Sequence, residues 1–85
     1  MKAKIYSTAW CDWCNMAKNA LEARNIEYEE IRLDTDENIA RFKADCPEGT
    51  TTVPQILIDR KYIGGYRELD NFFGGKSVEE NSTSW

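Results

Sequence analysis

The spacing of hydrophobic and polar residues predicts seven short elements along this chain. Alternating patterns with β-branched and aromatic residues indicate four strands, over residues 3–7, 26–33, 53–58 and 62–64. Hydrophobic residues at helical spacing indicate three helices, over residues 11–24, 37–45 and 67–73. Two strand–helix units followed by a hairpin and a helix predict an α/β fold, in which three helices flank both faces of a four-stranded mixed sheet.

The faces that we expect to be buried follow from the same spacing. In the first helix they include Cys14, Ala17 and Leu21. The second and third helices are expected to bury their own hydrophobic residues, namely Ile39, Phe42, Leu69, Phe72 and Phe73. The predicted hairpin turn at Asp59-Arg60-Lys61 lacks the glycine that tight two-residue turns prefer. Residues 1–75 therefore form one predicted domain, and the polar, serine-rich residues 76–85 a flexible C-terminal tail.

Composition narrows the classes of function. The 85 residues are 41% hydrophobic and 31% charged, which is typical of one soluble globular domain. Eleven basic and fifteen acidic side chains give a net charge of -4, which argues against nucleic-acid binding. No apolar run reaches the length of a membrane span, and no secretory signal is visible. We expect a monomer in the cytoplasm, with neither a nucleic-acid nor a membrane partner.

The chain has three cysteines and no histidine, which excludes a Cys–His or Ser–His relay. An odd number of cysteines also argues against the closed disulfide framework of small secreted proteins. Cys11 and Cys14 are separated by two residues, after a predicted strand and at the start of a predicted helix. In a helix such Cα atoms lie about 5–6 Å apart, within the range of a disulfide.

This placement predicts different roles for the two thiols. The positive end of the helix dipole is expected to lower the pKa of the Cys11 thiol and make it the nucleophile. Cys14, one turn further and more buried, would then attack the mixed disulfide and release the product. A zinc or iron–sulfur site needs more ligands than Cys46 alone can add, so no metal is expected. A structural disulfide with so short a loop would be a poor staple.

Two tryptophans, Trp10 and Trp13, flank this motif. They either pack over the edge of the sheet or form an apolar rim for a substrate. Cys46, on the loop after the second helix, is interpreted as a partly buried small apolar residue, with a regulatory role as the alternative.

Three segments carry a resemblance to a known family. They are Cys11-Asp12-Trp13-Cys14, Thr52-Val53-Pro54-Gln55 and Tyr62-Ile63-Gly64-Gly65-Tyr66. At this spacing they resemble the glutaredoxins, small members of the thioredoxin fold, and the likeness extends from Lys4 to about Phe73. It implies a dithiol oxidoreductase that reduces protein disulfides and glutathione mixed disulfides. Glutathione would serve as the reducing co-substrate, with no bound cofactor.

The resemblance also implies where a substrate binds. Pro54 is expected to be cis, so that the backbone of Val53 faces Cys11 and pairs with an extended substrate. Gly64 and Gly65 would admit a ligand close to the backbone, and the following helix N-terminus would hold the γ-glutamyl carboxylate. The residues expected to bind glutathione or a substrate are Trp13, Thr52, Val53, Pro54, Gly65, Tyr66 and Arg67.

Some positions depart from the family pattern. Asp12 and Trp13 replace the usual proline and tyrosine, and Thr8 stands where many members have lysine. Arg67 could pair with a carboxylate of glutathione. Alternatively, the Gly65-Tyr66-Arg67 sequence resembles redoxins that serve ribonucleotide reductase and are reduced by thioredoxin reductase. A third alternative is an iron–sulfur carrier that uses Cys11 and glutathione, although members specialised for that role carry serine at the second cysteine.

Overall fold

The computed structural model describes residues 1–74, so the predicted tail over 76–85 and its boundary with the domain lie outside the described residues. Over residues 1–74 the chain forms four strands and three helices. In chain order they are β1 (Lys2–Ser7), α1 (Asp12–Ala23), β2 (Glu27–Arg32), α2 (Asp36–Asp45), β3 (Gln55–Ile58), β4 (Lys61–Gly64) and α3 (Tyr66–Phe72). No helix among these residues combines the length and apolar character that crossing a membrane requires.

The strands form one mixed sheet in the order β2-β1-β3-β4. β1 pairs in parallel with β2 and antiparallel with β3, and β3 pairs antiparallel with β4. The predicted fold class, a four-stranded mixed sheet with three helices, is therefore confirmed. β1 is an inner strand of the sheet. The loop that follows its C-terminal end, which carries Cys11, therefore lies near the middle of that end of the sheet.

Successive residues of β1 enter two hydrophobic clusters on opposite faces of the sheet, as the pleat of a strand requires. Ile5 packs with Leu21 of α1 and Leu69 of α3, whereas Tyr6 packs with Phe42 of α2. Each of these side chains is at least 90% buried, which contributes roughly 1.5–3 kcal/mol for each large aliphatic residue. The helices thus divide between the two faces, with α1 and α3 on one and α2 on the other.

The prediction that Ile39 is buried is wrong, since 36% of this residue is exposed. The side of α2 that meets the sheet carries Phe42 instead. Asn38 explains the orientation, because its side-chain amide donates to the Arg32 carbonyl at 2.8 Å. This bond turns Asn38 toward the sheet and leaves Ile39 on the flank of the helix. Thr35 caps the same helix by accepting the Asn38 N–H at 3.1 Å.

The burial of Phe72 is also predicted wrongly, because 45% of this residue is exposed. In α3 the inward face instead follows Tyr66, Leu69 and Phe73, which are spaced i, i+3 and i+7. Phe72 meets Phe73 edge-on with ring centroids 5.6 Å apart. Phe73 in turn lies under the Arg24 guanidinium, at 4.1 Å from its carbon to the ring centroid. This contact joins the C-terminal ends of α1 and α3.

Two non-glycine residues form the tight turn between β3 and β4. Asp59 has φ +51° and Arg60 has φ +71°, so both lie in the left-handed region. Asp59 is held there by two bonds to Lys2: its carboxylate accepts the Lys2 N–H at 2.9 Å, and its N–H donates to the Lys2 carbonyl at 2.8 Å. No comparable bond from Arg60 is formed within residues 1–74.

Arg60→Gly is therefore expected to stabilise the fold by about 1 kcal/mol, since glycine adopts positive φ without steric cost and loses only part of this gain to chain entropy. Urea unfolding of the two proteins measures the difference. Arg60→Ala is the control, because it removes the side chain but keeps the strain and should change stability little. Equal stabilisation by both variants would contradict this explanation.

Candidate active site

Cys11 and Cys14 form a disulfide, with their Cα atoms 5.2 Å apart. This distance agrees with the expected spacing. Cys11 is the N-cap of α1, so the helix proper begins one residue later than predicted, at Asp12. The Cys11 Sγ accepts the Cys14 N–H at 3.1 Å. In the reduced protein, a Cys11 thiolate could accept the same bond at the positive end of the helix dipole, and both effects favour the thiolate.

The two sulfurs differ in access. Cys14 is 1% exposed, beside Ala17 and Leu21 on the buried face of α1, whereas Cys11 is partly exposed. The Cys11 sulfur is therefore the more accessible of the two. The asymmetry arises because Cys11 stands at the N-cap of α1, whereas Cys14 lies one turn further along, on the buried face of the helix.

Beside the disulfide lies a cavity of about 490 Å³. All seven residues predicted to bind glutathione or a substrate line it, namely Trp13, Thr52, Val53, Pro54, Gly65, Tyr66 and Arg67. The Val53–Pro54 peptide bond is cis, as the resemblance implies. Glu68 and Asp70 also line the cavity and were missed from the sequence. The cavity therefore combines one exposed cation and two acids with Trp13, which lies between the two cysteines in the chain.

Aromatic rings form one side of this cavity. The rings of Trp13 and Tyr66 lie 5.6 Å apart between centroids, and 58% of Trp13 stays exposed. Trp10 is 100% exposed, with φ +62°. Neither tryptophan is buried against the sheet, so the arrangement favours an apolar rim over packing at the sheet edge. A bulky residue in the left-handed region costs free energy, which makes the position of Trp10 unusual for a side chain without contacts.

The loop opposite the rings presents free backbone groups. Gln55 is 5% exposed, and its side-chain amide donates to the Thr52 carbonyl at 3.0 Å and to the Thr52 hydroxyl at 3.2 Å. Tyr62 donates its hydroxyl to the Gln55 side-chain oxygen at 2.7 Å. By contrast, the Val53 N–H and C=O make no hydrogen bond within residues 1–74. The hydrogen bonds from Gln55 thus hold the loop at Thr52 in place, while the Val53 backbone stays available to a second extended chain.

The two glycines before α3 make room for an internal carboxylate. Glu68 Oε1 accepts the Gly65 N–H at 2.8 Å, so this backbone donor is already engaged. A Cβ on Gly64 would lie 2.9 Å from the Glu68 Cγ, closer than side chains pack. The expectation that both glycines admit a ligand stays a prediction, and in this structure the Glu68 side chain lies beside them. The spacing of Glu68, three residues after the N-cap, is the signal that could have identified it.

Comparison with known proteins gives the family. A family model described as Glutaredoxin matches residues 3–63. The Pseudomonas aeruginosa glutaredoxin is 38% identical over 65 residues, which cover 76% of each chain. The chain belongs to the glutaredoxin family. Glutaredoxin 1 of Francisella tularensis superposes with a TM-score of 0.67 at 34% identity, over 82% of this chain and 88% of that one.

A buckwheat glutaredoxin, solved as a complex with glutathione, shares the fold with a TM-score of 0.66 at 24% identity. The match covers 85% of this chain and 69% of the buckwheat chain. Glutaredoxins are thiol–disulfide oxidoreductases, and this member carries its redox-active pair as Cys11 and Cys14. Within residues 1–74, no group of three or more cysteine, aspartate or glutamate side chains is arranged to hold a metal ion.

Cys46 is the free thiol of this glutaredoxin. It is 7% exposed and forms the C-cap of α2, where it packs with Tyr6, Phe42 and Leu57. Burial raises the pKa of the Cys46 thiol, and the nearby Asp45 carboxylate raises it further. These surroundings agree with the interpretation of Cys46 as a small apolar residue of the core.

Proposed function

We propose that this protein is a monomeric, cytoplasmic dithiol glutaredoxin that reduces protein disulfides and glutathione mixed disulfides. The observation that carries the proposal is the asymmetric pair at the start of α1, with an accessible Cys11 and a buried Cys14 beside an open cavity. Ribonucleotide reductase is a candidate protein substrate, on the strength of the Gly65-Tyr66-Arg67 likeness described above.

The proposed reaction consists of two thiol–disulfide exchanges followed by reduction of the protein disulfide. The Cys11 thiolate attacks one sulfur of the substrate disulfide, whose other sulfur leaves and takes up a proton. Cys14, deprotonated, then attacks the Cys11 sulfur, so that the second substrate thiol is released and the Cys11–Cys14 disulfide forms. Two glutathione molecules reduce this disulfide and become glutathione disulfide. The two electrons that the substrate gains are thus those that glutathione loses.

The cavity supports glutathione as a ligand through its charges. Glutathione carries two carboxylates and one ammonium group. Arg67, exposed at the cavity, can pair with a carboxylate, and Asp70 can accept from the ammonium. The free N–H and C=O of Val53 can pair with its peptide backbone. Because Glu68 already accepts the Gly65 N–H, we assign the carboxylate to Arg67 and not to that backbone donor.

Arg67→Gln is expected to raise KM for glutathione about fivefold and to leave kcat within about twofold, since an exposed charged contact contributes modestly to binding. Steady-state kinetics with a glutathione mixed disulfide measure both constants. Arg24→Gln removes an equal charge from the far end of α1 and serves as the control. A KM unchanged in Arg67→Gln, or raised equally in Arg24→Gln, would remove Arg67 from the binding site.

A reductant-preference assay tests the proposal as a whole. We expect rapid turnover with glutathione and glutathione reductase, and little with thioredoxin reductase alone. The reverse result would overturn glutathione dependence and support the alternative, a redoxin reduced by thioredoxin reductase. Cys11 and Cys14 would keep their chemical roles in that case, so the assay decides the electron donor and not the fold or the redox pair.

A further inference from the structure

A hydrogen-bonded cluster of Ser7, Lys18 and Glu30 lies on the α1 side of the sheet. The Ser7 hydroxyl donates to Glu30 Oε2 at 2.7 Å, and the Lys18 ammonium donates to the same oxygen at 3.1 Å. Ser7 is fully buried at the C-terminal end of β1. One carboxylate oxygen therefore joins β1, α1 and β2.

The cluster brackets the redox motif along the chain. Ser7 precedes Cys11 by four residues, and Lys18 follows Cys14 by four. Residues four apart on a helix are neighbours, with Cβ atoms about 5–6 Å apart. Helical side chains also lean toward the N-terminus, so an unrestrained Lys18 would lie over the turn that carries Cys14. The bond to Glu30 instead directs its ammonium toward β2.

The charges in this cluster compensate one another. The Ser7 hydrogen bond, followed by Lys18 and Arg32, holds the pKa of the Glu30 carboxyl below its usual range, although burial opposes this effect. Glu30 is therefore ionised at neutral pH, and its pair with Lys18 carries no net charge. Arg32 lies at 4.0 Å from the same oxygen and is largely exposed. One further charged group near the cysteines along the chain is the Asp12 carboxylate, in the first turn of α1.

We propose that Glu30 is a positioning residue that holds the Lys18 ammonium and offsets its charge, thereby setting the balance between the disulfide and dithiol forms of Cys11 and Cys14. The inference rests on the proposed redox function of these cysteines. Reduction of their disulfide takes two electrons and two protons, and loss of one proton from Cys11 leaves a thiolate. Lys18 lies one turn from Cys14 and two turns from Cys11. An uncompensated positive charge there would stabilise the Cys11 thiolate, whereas an uncompensated negative charge would destabilise it.

The equilibrium with glutathione at pH 7 tests the proposal. In it, the protein disulfide and two glutathione molecules give the dithiol and glutathione disulfide. Glu30→Gln is expected to raise the equilibrium constant about threefold, and Lys18→Gln to lower it about threefold. The double variant should return to within about 1.5-fold of the wild type, because the two charges then disappear together. The pH midpoint of Cys11 alkylation should fall in Glu30→Gln and rise in Lys18→Gln.

Opposite shifts distinguish this role from a structural one, since loosening of the cluster would move both single variants in the same direction. Glu29→Gln is the matched control. Glu29 is the neighbour of Glu30 on β2, pairs with Arg41 of α2 at 3.5 Å, and faces away from α1. The Glu29→Gln substitution removes the same charge but should change the equilibrium constant by less than about 1.5-fold. Shifts of equal sign in the two single variants, or a Glu29→Gln shift as large as that of Glu30→Gln, would overturn the proposal.

The same measurements in a dithiothreitol buffer separate this proposal from the proposed function. If the wild type equilibrates with dithiothreitol but not with glutathione, glutathione dependence is contradicted. The role of Glu30 can still be tested, because the variants are then compared with the wild type in dithiothreitol. If Glu30→Gln does not fold, the Lys18→Gln variant alone tests the proposal. A lowered equilibrium constant for reduction supports the proposal, and an unchanged or raised equilibrium constant overturns it.

Discussion

Replacement of Cys11 by serine is expected to abolish reduction of every disulfide substrate, because the accessible sulfur at the start of α1 makes the first attack. Cys14→Ser should keep activity on glutathione mixed disulfides, since a second glutathione can release the product from Cys11. It should lose activity on protein disulfides, for which Cys14 completes the exchange. Coupled assays with one substrate of each kind measure the two activities.

Cys46→Ser is the matched control for both variants. It removes a thiol that lies within the core and outside the redox pair, so activity on both substrates should remain close to that of the wild type. Normal reduction of a glutathione mixed disulfide by Cys11→Ser would refute the assignment of the nucleophile. Equal loss on both substrates in Cys14→Ser would refute the separate role of Cys14.

Gly64→Ala is expected to destabilise the fold by about 3 kcal/mol. Two costs add at this position. Gly64 has φ +124°, which side-chain-bearing residues rarely adopt, and a Cβ would lie 2.9–3.0 Å from the Glu68 side chain. Displacing Glu68 would also release the Gly65 N–H and disturb the cavity, so KM for glutathione should rise as well.

Gly49→Ala separates the two costs. Gly49 has φ +87°, but apart from its chain neighbours no residue in the described part of the chain lies within 4 Å of the position that its Cβ would take. Only backbone strain applies there, and we expect a loss of about 1 kcal/mol. Urea unfolding of both variants gives the comparison. Equal destabilisation by the two substitutions would show that contact with Glu68 contributes little at Gly64.

Most of the fold could be predicted from the sequence because its elements depend on local pattern. The alternation around Ile5 and the helical spacing of Ala17 and Leu21 are visible in the chain and agree with the structure. The errors at Ile39 and Phe72 arise where a helix contains more apolar residues than its inward face holds. Tertiary contacts then decide which residue turns outward, and the bond from Asn38 to a strand carbonyl has no local signature.

The residues of the candidate site were likewise only partly predictable from the sequence. Cys11 and Cys14 were predictable because a disulfide across one helical turn needs only local geometry. The cavity residues came from a resemblance, which names segments but not their side-chain contacts. Ser7 and Glu30 were missed because 23 residues separate them and only the parallel pairing of β1 with β2 brings them together. Gln55 belongs to one of the three segments that carry the resemblance, but its hydrogen bonds to Thr52 depend on its burial.

The burial of Cys46 has a practical consequence for the redox chemistry of the whole chain. A thiol that is shielded and weakly acidic reacts slowly with alkylating reagents at neutral pH. Cys14 is buried at least as deeply, so brief labelling of the folded protein should add one group to the reduced form, at Cys11, and none to the oxidised form. The third thiol is likewise kept from exchanging with the other two, so repeated catalytic cycles should not scramble the pairing.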